Sequence, residues 1–176
     1  MLSRDEALHK ASQLRLLVSD IDGILTDGSL LFSNQGDELK AFNIQDGLGI
    51  KLLRDAGIDT CLITGRRSEL VLRRAKELGI TKIVQGREDK ATALKELCNE
   101  LGLKPQQVAY IGDDLPDLGA IRLAGLGVTV ADGHRFVVQH CDWQTSKAGG
   151  RGAIRELCEL ILEARGELES SWSRFL

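Results

Sequence analysis

The sequence predicts an α/β fold: a doubly wound, mainly parallel sheet with helices on both faces and a projecting β-hairpin. Three observations carry this reading. Short apolar runs, among them Leu16–Ser19, Asp59–Ile63 and Val108–Ile111, alternate with amphipathic helical stretches. Gly57 and Gly79 stand where two of those helices should close. Polar residues able to do chemistry follow directly after several of the apolar runs, and a doubly wound sheet gathers its ligands at that edge.

In chain order, Ser3 with Glu6 forms a capping-box pattern that opens a helix to about Leu14, ahead of the first strand Leu16–Ser19. Ser29–Phe32 and Leu39–Asn43 flank the turn-prone Ser33–Asp37, which predicts a hairpin with a five-residue connection over about residues 29–43. A helix over Asp46–Ala56 and the strand Asp59–Ile63 follow. Ser68 then caps a helix to Leu78, and Lys82–Val84 makes a short strand. Leu94, Leu97, Cys98 and Leu101 stripe the next helix. The strand Val108–Ile111, a helix over Leu115–Leu123 and the strand Leu126–Val130 continue the alternation. A short strand near Cys141–Trp143, a helix carrying Ile154, Leu157, Cys158, Ile161 and Leu162, and a tail over residues 166–176 complete the chain. The pattern is Rossmann-like, and nothing in the 176 residues marks a second domain.

Composition narrows the function. The chain is 43% hydrophobic and 28% charged, ordinary for a globular protein, with 23 basic against 26 acidic residues and a net charge of −3. The basic residues are scattered, so no nucleic-acid surface is indicated. No apolar run approaches the roughly 20 residues that span a bilayer, and the amphipathic start carries acids, unlike a signal peptide. A cytoplasmic protein is the expectation. Cys61, Cys98, Cys141 and Cys158 are far apart and read as reduced core residues, and the three histidines do not cluster, which argues against zinc.

Asp20 and Asp22 stand two apart after the first strand, so an extended backbone turns both carboxylates to one face, while Gly23 permits a sharp turn against a ligand. Thr64-Gly65-Arg66, Lys90 and Gly112-Asp113-Asp114 follow other strands and should meet them at the same edge. Each alone reads as a turn or a capped helix start. Together they suit a phosphoryl group: Asp20 as nucleophile, Mg²⁺ on Asp20 and Asp113, Lys90 and the Thr64 hydroxyl on phosphate oxygens, and Asp22 as general acid and base.

These residues also resemble a known family. Asp20-Ile-Asp22-Gly23, the strand-terminal Thr64, Lys90 and Gly112-Asp113-Asp114-Leu115-Pro116-Asp117 match, in order, the four motifs of the haloacid dehalogenase superfamily of phosphatases. Asp22–Gly28, the hairpin, Leu39–Gly47, Ile63–Arg66 and Gly149–Glu156 extend the likeness over nearly the whole chain to its capless branch, the phosphatases of 3-deoxy-D-manno-octulosonate 8-phosphate (KDO 8-phosphate). The spacing agrees with a missing cap, since residues 65–89 leave room for one helix and one strand and residues 29–45 are filled by the hairpin.

The resemblance implies a Mg²⁺-dependent phosphatase acting through an aspartyl-phosphate in the synthesis of lipopolysaccharide precursor. It adds the backbone carbonyl of Asp22 to the metal ligands, with Asp117 behind them. It implies a homotetramer built around the hairpins, and a C-terminal tail able to cover a neighbour's site. Gly23, Gly65, Lys90 and Asp114 join the substrate-binding set, and Arg66, with Arg74 one helix further on, is expected to pair with the carboxylate of the sugar acid.

Arg66 after Thr64-Gly65 favours the octulosonate over a nine-carbon sialic-type sugar-acid phosphate, the alternative substrate. A non-catalytic oligomerisation module is the alternative of a different class, and the complete acidic set speaks against it. A signalling receiver domain would need an Asp where the strand Asp59–Ile63 is followed by Thr64, and Gly47-Leu48-Gly49 lacks the third glycine of a dinucleotide loop.

Overall fold

All four residues of Leu16–Ser19 (β1) are buried, as in a strand covered on both faces. The computed structural model describes residues 1–176. It runs α1 (Arg4–Ala11), β1, a hairpin of β2 (Leu31–Phe32) and β3 (Glu38–Leu39), α2 (Ile44–Asp55), β4 (Asp59–Thr64), α3 (Glu69–Leu78) and β5 (Lys82–Gln85). It continues through α4 (Lys90–Leu101), β6 (Val108–Ile111), α5 (Leu118–Leu123), β7 (Leu126–Thr129), α6 (Arg135–Val138), β8 (Trp143–Gln144), α7 (Ala153–Ala164) and α8 (Leu168–Ser173).

The six-stranded sheet has the order β5-β4-β1-β6-β7-β8 with every neighbouring pair parallel, and β2 and β3 form a separate antiparallel pair. The chain winds outward from β1 through β4 to β5, then returns to β6 on the other side. The order therefore reverses at β1, and a crevice opens beyond its carboxyl end. Strand alternation divides the core: Leu17, Leu62, Ala109 and Ile111 face α1, α2, α3 and α7, while Leu16, Val18, Cys61, Ile63 and Tyr110 face α4, α5 and α6.

The expected strand Leu16–Ser19, strand Val108–Ile111 and five-residue hairpin connection appear with those bounds. The Ser3–Glu6 capping box is formed, though its helix ends at Ala11. The helix expected over Leu115–Leu123 is divided. Leu115–Asp117 is a 3₁₀ turn opened by Pro116, in which Asp114 accepts from the Leu115 N–H and donates its own N–H to Asp117.

The tail packs on its own chain. Residues Leu168–Ser173 form α8, Trp172 Nε1 donates to Glu159 of α7, and Arg174 pairs with Asp55 at the end of α2. Asp55 lies just ahead of Asp59, whose register partner is Leu16. The tail thus docks toward the amino edge of the sheet, opposite the crevice.

The Gly149–Gly152 loop braces the segment after β1. A side chain at Gly149 would collide with the Gly23 carbonyl, and the Gly150 N–H donates to Ile24 O at 2.8 Å. Asp46 holds the same loop from the other side by accepting from the Gly152 and Arg155 N–H groups at 3.2 and 2.9 Å, and its carboxyl is raised by burial. Asp46→Ala leaves two N–H groups without their acceptor. It should lower the free energy of urea unfolding by about 1–3 kcal/mol. An unchanged urea midpoint would show that the brace contributes nothing.

Candidate active site

The end of β1 is fixed to the end of β6 by the Asp20 N–H, which donates to Ile111 O at 3.0 Å, so the Asp20 and Asp113 loops lie side by side. The acceptor oxygens of Asp20, Asp113 and Asp117 come within 4.8 Å of one another. Gly23, at a φ of +93°, makes room for this arrangement because the Asp113 carboxylate occupies the space a side chain there would fill.

Lys90, the first residue of α4, is 5% exposed and reaches into the cluster. Its Nζ donates to Asp117 at 2.7 Å and lies 3.0 Å from Asp20 Oδ2. Burial opposes the ammonium charge, but the Asp20 and Asp117 carboxylates outweigh it and raise the lysine pKa. Asp117 is engaged throughout: Oδ1 also accepts from the Tyr110 hydroxyl at 2.8 Å, and Oδ2 accepts from the Asp114 N–H at 3.3 Å. It stands behind the site as a support for Lys90.

One ammonium cannot neutralise three carboxylates. Burial and then the Asp117 charge push the Asp20 carboxyl up to about 7, and the same two causes raise Asp113 to about 6. The cluster lacks positive charge, and all its donors are hard oxygens, so it fits a divalent cation such as Mg²⁺ held by Asp20 and Asp113.

The Asp22 side chain lies outside that cluster. Its Oδ1 pairs with Lys40 of the hairpin, and its Oδ2 is 3.8 Å from Arg66 Nε. Arg66 Nη2 in turn bonds Glu38 at 3.0 Å. Thr64 ends the neighbouring strand β4 with a buried side chain whose hydroxyl accepts from the Arg66 N–H, and Gly65 is half-buried beside it.

Two expected ligand residues also make local contacts. Arg74 donates to Asn43 O and Glu77 and stacks 5.9 Å over the Phe42 ring, bracing α3 against the entry to α2. The Asp114 carboxylate caps the Leu115 turn and is exposed. Lys40, Glu38 and Tyr110 were not marked by the sequence reading. Tyr110 sits in an apolar strand and reads as core. The alternation of Glu38, Leu39 and Lys40 was a usable signal that two charges share a face.

Because folding raises these carboxyls above their ordinary 3.8, the metal-free fold holds protons more tightly than the unfolded chain. It therefore loses stability as pH rises through the range between 3.8 and about 7. Magnesium should raise the thermal midpoint more at pH 8 than at pH 5, measured against EDTA by calorimetry. Asp20→Asn should raise the EDTA midpoint at pH 8 and shrink the magnesium response. Equal magnesium shifts at both pH values would contradict this account of the cluster.

A family model described as haloacid dehalogenase-like hydrolase matches residues 79–157. The 3-deoxy-D-manno-octulosonate 8-phosphate phosphatase KdsC of Yersinia pestis is 47% identical over 167 residues, covering 95% of this chain and 89% of its own. The crystal structure of the corresponding phosphatase from Moraxella catarrhalis, in complex with magnesium, phosphate and KDO, superposes with a TM-score of 0.96 at 48% identity and covers 98% of this chain and 99% of its own. The cobalt-bound enzyme of Haemophilus influenzae gives a TM-score of 0.89 at 37% identity, covering 93% and 99%. With identity of this order along nearly its whole length, and the four acidic, threonine and lysine motifs at one sheet edge, the chain belongs to the haloacid dehalogenase-like family of KDO 8-phosphate phosphatases.

Proposed function

We propose that this chain hydrolyses KDO 8-phosphate to KDO and inorganic phosphate, a step that supplies lipopolysaccharide precursor. The carrying observation is the packing of Asp20, Asp113 and Lys90 at the switch point of the sheet in a chain this similar to named KDO 8-phosphate phosphatases. Asp20 is the nucleophile: its carboxylate oxygen bonds to phosphorus as the bond from phosphorus to the sugar oxygen breaks. Asp22 gives its proton to that departing oxygen. Lys90 and the Thr64 hydroxyl bind the phosphoryl oxygens and keep them in line. Water then attacks the aspartyl-phosphate, Asp22 takes its proton, and Asp20 is released with inorganic phosphate. Bound at Asp20, Asp113 and the Asp22 carbonyl, Mg²⁺ would offset the charge repulsion between nucleophile and phosphate.

Arg66 is the partner we assign to the carboxylate of the sugar acid, and Gly23 and Gly65 belong to the same proposed substrate-binding set. Arg74 and Asp114 stay in the proposed substrate-binding set, Arg74 as a second partner for the carboxylate, and each also makes the local contacts described above. In a phosphate-release panel with magnesium, KDO 8-phosphate should outrun a nine-carbon sugar-acid phosphate and the hexose phosphates. Asp20→Asn should be inert, Asp22→Asn slower by about 10²–10⁴-fold, and Arg66→Ala should raise KM for the sugar acid phosphate far more than for a neutral ester. Near-normal turnover by Asp20→Asn, or no preference for a sugar acid, would refute these assignments.

We also propose a single phosphatase domain, assembled as a homotetramer through the hairpins. Leu31, Phe32 and Leu39 are more than half exposed there, at 52, 63 and 59%, which is unusual for neighbouring large apolar side chains. No helix of the chain is long and apolar enough to cross a membrane, and four buried unpaired cysteines suit the cytoplasm. Sedimentation at micromolar concentration should give a tetramer for the wild type and smaller species for Phe32→Asp. A wild-type monomer would exclude the hairpin assembly.

A further inference from the structure

The side chain of Lys40, the residue after β3, is 1% exposed, although Leu31, Phe32 and Leu39 of the same hairpin are open to solvent. A buried ammonium is costly unless carboxylates surround it, and Lys40 has two, Asp22 and Glu38. The alternation along the hairpin explains how: Leu39 turns outward beside its register partner Leu31, so Glu38 and Lys40 turn inward onto the loop after β1.

The two oxygens of Asp22 are held unequally. Oδ1 is taken by Lys40, a fixed side chain, whereas Oδ2 has only the 3.8 Å contact to Arg66, whose side chain is 43% exposed and can turn to another anion. We infer that Lys40 is a positioning residue for proton transfer: it pins Oδ1 of Asp22 so that Oδ2 is the oxygen that hands a proton to the leaving group and later takes one from water. The inference rests on the phosphatase reading and adds a residue to it. It also gives the polar side of the hairpin a part in the chemistry. Glu38 serves the same end by holding Lys40 on one side and Arg66 on the other.

The test is a double-mutant cycle. Lys40→Met keeps most of the length of the side chain and removes its charge, and it is made in the wild type and in Asp22→Asn, with Lys40→Arg as the conservative replacement. Phosphate release from KDO 8-phosphate and the first-turnover burst from p-nitrophenyl phosphate are followed with saturating magnesium. Lys40→Met should lower kcat on the sugar phosphate by about 10–10²-fold, a part of the general acid's share, with KM little changed. It should leave the nitrophenolate burst rate unaltered, since that leaving group needs no proton. It should add no further loss in Asp22→Asn, and Lys40→Arg should recover much of the rate.

Equal losses in both backgrounds, or a slowed burst, would overturn the inference and leave the lysine a structural staple. If Lys40→Met does not unfold cooperatively, Lys40→Gln carries the same cycle. Absence of turnover of either ester by the wild type would overturn the phosphatase reading itself, and the role of Lys40 with it.

Discussion

The Lys90 ammonium, donating to Asp117 at 2.7 Å and lying 3.0 Å from Asp20, is what lets three carboxylates share a largely dry edge of the sheet. Removing that lysine would leave the buried carboxylates uncompensated, at a cost of about 3–5 kcal/mol in comparable cases. The surrounding structure follows from this need. Lys90 opens α4 so that its side chain enters from the start of the helix, Tyr110 reaches Asp117 from β6, and the Asp114 turn adds a backbone N–H to the same carboxylate. Even so, the cluster remains short of positive charge, and the raised carboxyls of Asp20 and Asp113 register that shortage.

Function at this edge requires order reversal in the sheet. Asp20 and Asp113 are far apart in the chain, but β1 and β6 are neighbours because the chain returns past its starting strand. The glycine loop before α7 keeps the segment after β1 from drifting, and Asp46 ties that loop to α2. The segment after β1 is therefore braced from the layer of α2 and α7, while Lys90 of α4 enters the site from the other layer.

Much of this was legible in the sequence because it depends on local rules. Short apolar runs gave β1 and β6 their bounds, Gly79 closed α3 in the left-handed conformation, and the strand-end positions of Asp20, Thr64, Lys90 and Asp113 placed them at one edge. What stayed hidden depends on pairings between distant segments. Lys40 looks like a solvated lysine until the hairpin folds over Asp22, and Tyr110 looks like core until its hydroxyl meets Asp117. The contacts of Arg74 with Asn43, Glu77 and Phe42 are likewise invisible in its spacing from Arg66. Leu168, Trp172, Phe175 and Leu176 stand at helical spacing, but the partners of the tail, Glu159 for Trp172 and Asp55 for Arg174, lie far off in the chain and could not be read from it.

The central place of β1 has a consequence for how the molecule comes into being on the ribosome. The strands on one side, β4 and β5, are synthesised first, so β1 can pair with β4 while its other edge stays open until Val108–Ile111 has emerged. During that interval the nascent chain carries Asp20 without Asp113 or Asp117 beside it, and the mutual repulsion of the acids does not yet exist. Insertion of β6 closes the apolar gap and creates the charged centre in one event. The energy released by completing the sheet is thus available at the moment when like charges must be brought together, and no partly folded form has to hold them there unaided.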